Sequence, residues 1–256
     1  MEKPLFVIEH LEPIVGRWLL IEYKHASKIA GENRLIFTNV KKKSHYLKLS
    51  KIARARQEDF TKIFSQEEII ILDPKAQTPL KPEDFNGKKA VVVGGILGDH
   101  PPRGRTSTLI TSRVPKATAR NIGKTQFSID SAVYMAKLVN EGIPLEKIPV
   151  KKGLTIKVSE NHLIHLPYAY PLKDGKPLIS KELIKYLLKT QKFNHSTTCF
   201  CLHPWNNLLL HLQNTETRNP IPVITSLRDQ TSLNKFPKPS ARNFTTFPKL
   251  RLQLIP

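Results

Sequence analysis

The residues from Val91 to Arg105 read VVVGGILGDHPPRGR. Three β-branched residues precede Gly94, Gly95 and Gly98, and Asp99-His100, two prolines, Arg103 and Arg105 follow. This is a strand running into a loop whose backbone must approach something closely, which glycine permits. The polar groups just beyond it stand where open α/β sheets take ligands, outside the carboxyl ends of the strands. No Gly-Lys-Ser/Thr follows, and Pro101-Pro102 occupy the place where a dinucleotide fingerprint would open a helix, so neither phosphate motif applies. A second polar, glycine-containing loop, Arg120 to Phe127, feeds a helix capped at Ser128 or Asp130. A helix start of this kind offers free N–H groups and a partial positive charge. A third group, Ile8-Glu9-His10-Leu11-Glu12 with Glu22 in the next helix, clusters carboxylates that could hold a cation or merely cap and face solvent. Leu72-Asp73-Pro74 is another strand end with a polar exit. His195, Cys199, Cys201 and His203 are packed too tightly for the usual paired zinc spacing, so no metal site is expected.

These residues need elements to position them. Short apolar runs predict strands at Leu5–Ile8, Leu35–Phe37, Ile69–Leu72, Ala90–Val93, Thr108–Ser112 and Leu154–Val158. Helical spacing joins Ile14, Trp18, Ile21, Ala26 and Ile29, with Gly31 as a stop. Further helices are expected within residues 41–66, from Ser128 or Asp130 through Asn140, and over Lys181–Leu188 behind Ser180. Strands alternating with helices argue an α/β fold with a mostly parallel sheet covered on both faces. All 11 glycines lie at or before Gly175. The reading therefore separates a folded domain over residues 1–189 from a poorly ordered basic tail over 190–256.

The chain has 256 residues, 41 Lys and Arg against 21 Asp and Glu, and a net charge of +20. Such a balance suits RNA, ribosomes or other polyanions, or is a generally basic surface. The stretch Lys41-Lys42-Lys43, Lys48, Lys51, Arg54 and Arg56 could touch phosphates or be a solvated face. No apolar run reaches the length of a membrane span, and Leu5–Ile8 is too short for a signal peptide. A cytoplasmic protein without membrane partners is expected. Two cysteines imply no disulfide framework.

The run Gly94 to Pro102 with Arg105-Thr106 closely resembles the signature of the SPOUT-class methyltransferase family that includes the fungal protein-arginine methyltransferase of a small-subunit ribosomal protein. Ile8-Glu9-His10, Trp18, Glu22-Tyr23, Leu72 to Ala76, Pro82-Glu83-Asp84, Gln126 to Ala132, Leu166-Pro167-Tyr168 and Lys173 to Pro177 look like that family too. The likeness spans Pro4 to about Leu188. It implies a parallel sheet whose C-terminal part forms a trefoil knot, and loops that grip S-adenosylmethionine. By that resemblance, Leu72, Gly94, Gly95, Leu97, Gly98, Ile122, Gly123, Gln126, Phe127 and Ser128 contact the cofactor. The implied reaction methylates an arginine of a ribosomal protein. Alternatives are a transfer- or ribosomal-RNA base, or an assembly factor without turnover. Glu9 and Asp99 are then the catalytic carboxylates, and His10 and His100 relay or orient the proton. Glu12 and Glu22 bind a cationic substrate, while Arg103 and Arg105 position an anionic group. Nothing in the sequence selects between a monomer and a homodimer.

Overall fold

A computed structural model describes residues 3–99, 101–160 and 162–191. The expected tail from residue 192 onward, with its His195–His203 group, lies outside these residues, as does His100. Six strands form one parallel sheet: β1 (Leu5–His10), β2 (Leu35–Thr38), β3 (Arg54–Ala55), β4 (Ile69–Leu72), β5 (Ala90–Gly95) and β6 (Thr118–Arg120). Their spatial order is β3-β2-β1-β5-β4-β6. β1 lies at the centre, pairing Ile8 with Phe37 on one side and Val93 on the other.

The central strands are apolar at nearly every position because both sheet faces are covered. On one face, Phe6, Ile8, Ile70 and Val91 pack under helices α1 (Arg17–Ala30) and α4 (Ile129–Asn140). On the other, Val7, Ile71 and Val92 meet Phe60, Ile110 and Val114. Each such side chain, fully withdrawn from water, contributes roughly 1.5–3 kcal/mol of transfer free energy. The outer face of α1 carries Trp18 and Ile21 onto a separate antiparallel sheet. That sheet is made of β7 (Val150–Ser159), β8 (His162–Lys173) and β9 (Lys176–Pro177). Helix α5 (Lys181–Gln191) adds Leu183 and Leu187 to the same cluster.

Several expectations change. Thr108–Ser112 is not a strand. Helix α3 (Arg105–Leu109) and a 3-10 turn at Thr111–Arg113 occupy it, and the edge strand is Thr118–Arg120. Local β-propensity loses here to tertiary bonds. Arg105 is tied to Asp99, and the Thr111 hydroxyl donates to Asp73 at 2.7 Å. The basic 41–66 segment does contain a helix, the two-turn α2 (Lys43–Leu49), followed by β3 and 3-10 turns. Leu154–Val158 is strand, but it belongs to the antiparallel sheet rather than the parallel one.

Candidate active site

The loops leaving β4, β5 and β6 converge at the carboxyl edge of the parallel sheet. They enclose a cavity of about 260 Å³. Its apolar wall is built by Leu72, Ile122, Ile129 and Ala132, all nearly or fully buried. Its rim carries Asp73, Lys75, Asp99, Arg103, Arg105 and Lys124. Eight of the ten residues expected to contact a cofactor line it: Leu72, Gly94, Gly98, Ile122, Gly123, Gln126, Phe127 and Ser128. Gly95 and Leu97 do not. Gly95 exists for packing: a Cβ there would lie 2.5 Å from the Tyr23 hydroxyl and 2.7 Å from the Glu9 carbonyl. Leu97 instead donates its N–H to Glu12, at 2.9 Å.

Gly98 is the tightest point. A Cβ would strike the Gln126 amide and come within 2.8 Å of the Tyr168 ring. Oriented to satisfy both groups, the Gln126 amide donates to the Asp99 carbonyl at 2.9 Å and accepts from its N–H at 3.3 Å. The Tyr168 hydroxyl, carried on β8, donates to the Gly98 carbonyl at 2.9 Å. The β5 loop is thus clamped by the β6 loop and by the second sheet. At the far side Gly104 takes a positive φ of 67° and passes under the Lys75 side chain.

An acidic cluster lies beside this cavity, where α1, the β5 loop and the start of α4 meet. Arg105 binds Asp99 through Nε at 2.8 Å, lies 3.5 Å from Glu12 and also donates to the Leu97 carbonyl. Glu22 accepts from Trp18 Nε1 and, at 3.3 Å, from the Ile129 N–H at the start of α4. Burial first, then the charge of Asp130, raises the Glu22 carboxyl to about 8. Glu12 is raised by burial, partly offset by its bond to Leu97 and by Arg105. Burial beside Glu22 also lifts the phenols of Tyr168 and Tyr170, so both stay protonated donors. Carboxylates held this far from water and this near one another favour a cation with several donors. Arg105 shows that the oxygens of Asp99 and Glu12 accommodate a guanidinium.

Ser128, the N-cap of α4, donates its hydroxyl to Asp130 at 2.6 Å, and the Ser131 hydroxyl lies 2.8 Å away. Asp130 is held in turn by His25 Nδ1 at 2.6 Å.

Other expected site residues lie elsewhere. Glu9 is fully buried but does not line the cavity. Its Oε2 accepts from the Thr38 hydroxyl at 2.6 Å and the Phe60 N–H at 3.3 Å, on the opposite sheet face from α1. Burial raises its carboxyl to about 7. His10 points to the α1 face, 3.0 Å from both the Tyr23 hydroxyl and His45 Nδ1. Burial, and then His45, lowers its imidazole to about 4, so it is neutral at physiological pH. Arg105 is committed to protein carboxylates rather than free for an anionic ligand, whereas Arg103 stands exposed on the cavity rim. Asp130 and Tyr170 carry no catalytic or binding role in the sequence reading, since only the packing of α1 on α4 and β8 brings them to Glu22; Trp18 stands four residues before Glu22 on α1, so helical spacing alone pairs the two. Among the described residues no group of three His, Cys, Asp or Glu side chains could hold a metal ion.

Known proteins resemble this chain in sequence and fold. Residues 5–193 fit the model of the family described as protein arginine N-methyltransferase SFM1-like. The protein arginine N-methyltransferase SFM1 of Saccharomyces cerevisiae is 29% identical over 200 residues, covering 72% of this chain and 94% of the relative. The crystal structure of the yeast arginine methyltransferase SFM1 complexed with SAM superposes with a TM-score of 0.68 at 26% identity. That match covers 75% of this chain and 93% of the other. The same enzyme complexed with SAH gives a TM-score of 0.64 at 27% identity, covering 72% and 94%. With the family model spanning the parallel sheet, the cavity loops and the second sheet alike, the chain belongs to the SFM1-like protein arginine N-methyltransferase family.

Proposed function

We propose that this protein transfers the methyl group of S-adenosylmethionine to an arginine side chain of a small-subunit ribosomal protein. The observation that carries the reading is the pairing of two sites: a loop-walled cavity and, sharing Asp99 and the Gly98 clamp with it, a buried acidic cluster fitted to a guanidinium. The cavity suits the cofactor. Leu72, Ile122 and Ala132 form an apolar slot for a heteroaromatic ring, while Gly94, Gly98 and Gly123 leave backbone groups uncovered by side chains. When bound, the cofactor supplies a methyl carbon already activated on a sulfonium.

The chain's own task is alignment and proton handling. Asp99, Glu12 and Glu22 orient the guanidinium by charge-assisted bonds, which the planar fork of arginine matches in pairs. Methylation removes one guanidinium proton. Glu22 is the group suited to receive it, because burial and the charge of Asp130 raise the affinity of its carboxylate for a proton. Arg105 holds Asp99 and Glu12 in place. Glu9, which does not line the cavity, supports the β1–β2 pairing through Thr38 and Phe60. His10 orients Tyr23.

The three convergent loops, with Asn121 paired to Thr78 and Leu80 across the β4 exit, support a trefoil-knotted arrangement of the C-terminal half. No helix among the described residues is long and apolar enough to cross a membrane, and a cytoplasmic site of action fits a ribosomal substrate. The test is incubation with methyl-labelled cofactor and ribosomal fractions. Label in nuclease-resistant, protease-sensitive material, released as methylarginine on hydrolysis, is the expected result. Label in RNA would overturn the reading.

A further inference from the structure

Charge is sorted radially in this molecule. Of the 18 acidic side chains among the described residues, six are buried: Glu9, Glu12, Glu22, Asp73, Asp99 and Asp130. None of the 33 Lys and Arg side chains is buried, so the surface presents 33 cations and 12 anions. The excess is concentrated on α2 and β3. From Asn33 to Gln57 there is no acidic residue, and Lys41, Lys42, Lys43, Lys48, Lys51, Arg54 and Arg56 are all exposed.

This face is tied to the acidic cluster by a short loop. Lys42 Nζ donates to the Pro13 carbonyl at 2.8 Å and Lys48 Nζ to the Val15 carbonyl at 3.2 Å, in the segment that starts at Glu12. The same face carries exposed apolar groups: Tyr46 at 36%, Leu47 at 55% and, on the tied loop, Ile14 at 46%. An aromatic ring and two aliphatic side chains among fixed and mobile ammonium groups suit phosphates together with base or sugar faces.

The arrangement poses an electrostatic problem. A pocket built for a guanidinium sits within a surface that repels basic polypeptides over a Debye length of about 8–10 Å. A bare arginine-rich substrate would be drawn in by the pocket and pushed away by its rim. An arginine presented on a ribonucleoprotein meets both fields favourably.

We propose that the α2–β3 face is an RNA-docking surface, and that it recruits the acceptor arginine as part of an RNA–protein particle. This rests on the proposed ribosomal-protein substrate and adds to it the partner that the surface reads. Binding is through the backbone and is largely independent of sequence.

The test uses the full chain and a fluorescently labelled RNA duplex or single strand of about 20 nucleotides, with affinity followed by anisotropy at several salt concentrations. The variant Lys41→Glu/Lys43→Glu/Lys51→Glu changes three exposed ammonium groups that make no bond to the acidic cluster. A control set, Lys151→Glu/Lys152→Glu/Lys157→Glu on β7, changes net charge equally. The α2–β3 variant is expected to weaken RNA binding at least tenfold and to flatten the log–log salt slope by about two units, while the control stays within threefold. Methylation of a short arginine peptide is expected to stay within twofold in the α2–β3 variant, while methylation of the RNA-bound protein falls. Equal losses in both sets, no RNA binding, or stronger binding to anionic vesicles or an acidic protein than to RNA would each overturn the proposal. RNA binding is measured without turnover, so a failure of the methyl-transfer reading shows separately, as no peptide methylation by the unmodified protein.

Discussion

Two carboxylates adjacent to the same strand end meet opposite fates. Side chains alternate across a strand, so Glu9 shares a face with Val7, and His10 with Ile8. Glu9 therefore leaves the α1 side on which Glu12, Glu22 and Asp99 gather. Its carboxyl is raised from 4.5 to about 7, chiefly by burial. A folded-state value above the unfolded one means the native protein holds that proton more tightly. The associated stability is complete below about pH 4.5 and is lost as pH rises through 7. Glu9→Gln removes this titration. In urea unfolding it is expected to match the unmodified protein near pH 4.5 and to exceed it by about 3 kcal/mol at pH 8. Unchanged pH dependence would show that Glu9 does not titrate as its burial demands. The residue types at the site were legible in the sequence: Asp99 beyond the glycines, and Glu12 and Glu22 around the first helix. Glu9 was placed with them by proximity along the chain, although strand parity separates it. His10 and Tyr23 form a buried pair that no spacing rule announces, because their contact spans β1 and α1.

At the scale of elements, the loop after β5 works because the neighbouring elements confine it. Its two inner glycines have different duties. Gly95→Ala would drive a methyl group into the Tyr23 hydroxyl and the β1 backbone. A loss of about 1–3 kcal/mol in urea-derived stability is expected. Gly98→Ala would displace Gln126 and press on the Tyr168 ring. It is expected to cost at least tenfold in calorimetric affinity for S-adenosylmethionine, with a smaller effect on folding. If the two variants showed one common loss of stability and no difference in cofactor affinity, the division between packing and binding would fail. The four inner strands and the two long helices were readable because apolar runs and helical spacing are local signals. The span from Thr108 to Ser112 was not. Its threonines and Ile110 read as a strand, but Asp73, distant in sequence, binds Thr111, and Asp99 binds Arg105 at the start of α3, so the span is held as helix and turn. Strand β8 escaped notice for a related reason. Leu166-Pro167-Tyr168 looks like a break in pattern, yet the strand is long and packs its Tyr168 and Tyr170 under α1.

The whole molecule joins an acidic interior to a basic exterior, and net charge alone describes neither. The +20 balance pointed to polyanions, while the group best fitted to the buried site is a cation. Both statements hold because folding withdraws six carboxylates from the surface and gathers three of them, Glu12, Glu22 and Asp99, on the α1 side, with Asp99 lining the cavity. That sorting was invisible in composition, since it depends on which strand face and which helix turn each acid occupies. The central claim is that this cluster orients an arginine for transfer from a cofactor held next to it. The most direct measurement compares methyl transfer to an arginine substrate by the unmodified protein, Glu22→Gln and Asp99→Asn, with cofactor affinity measured calorimetrically on the same preparations. The account predicts that both variants keep cofactor affinity within about threefold while kcat/KM falls by roughly a hundredfold or more, a loss of about 3 kcal/mol of transition-state stabilisation. Transfer at the unmodified rate in both variants, with the cofactor bound, would contradict it.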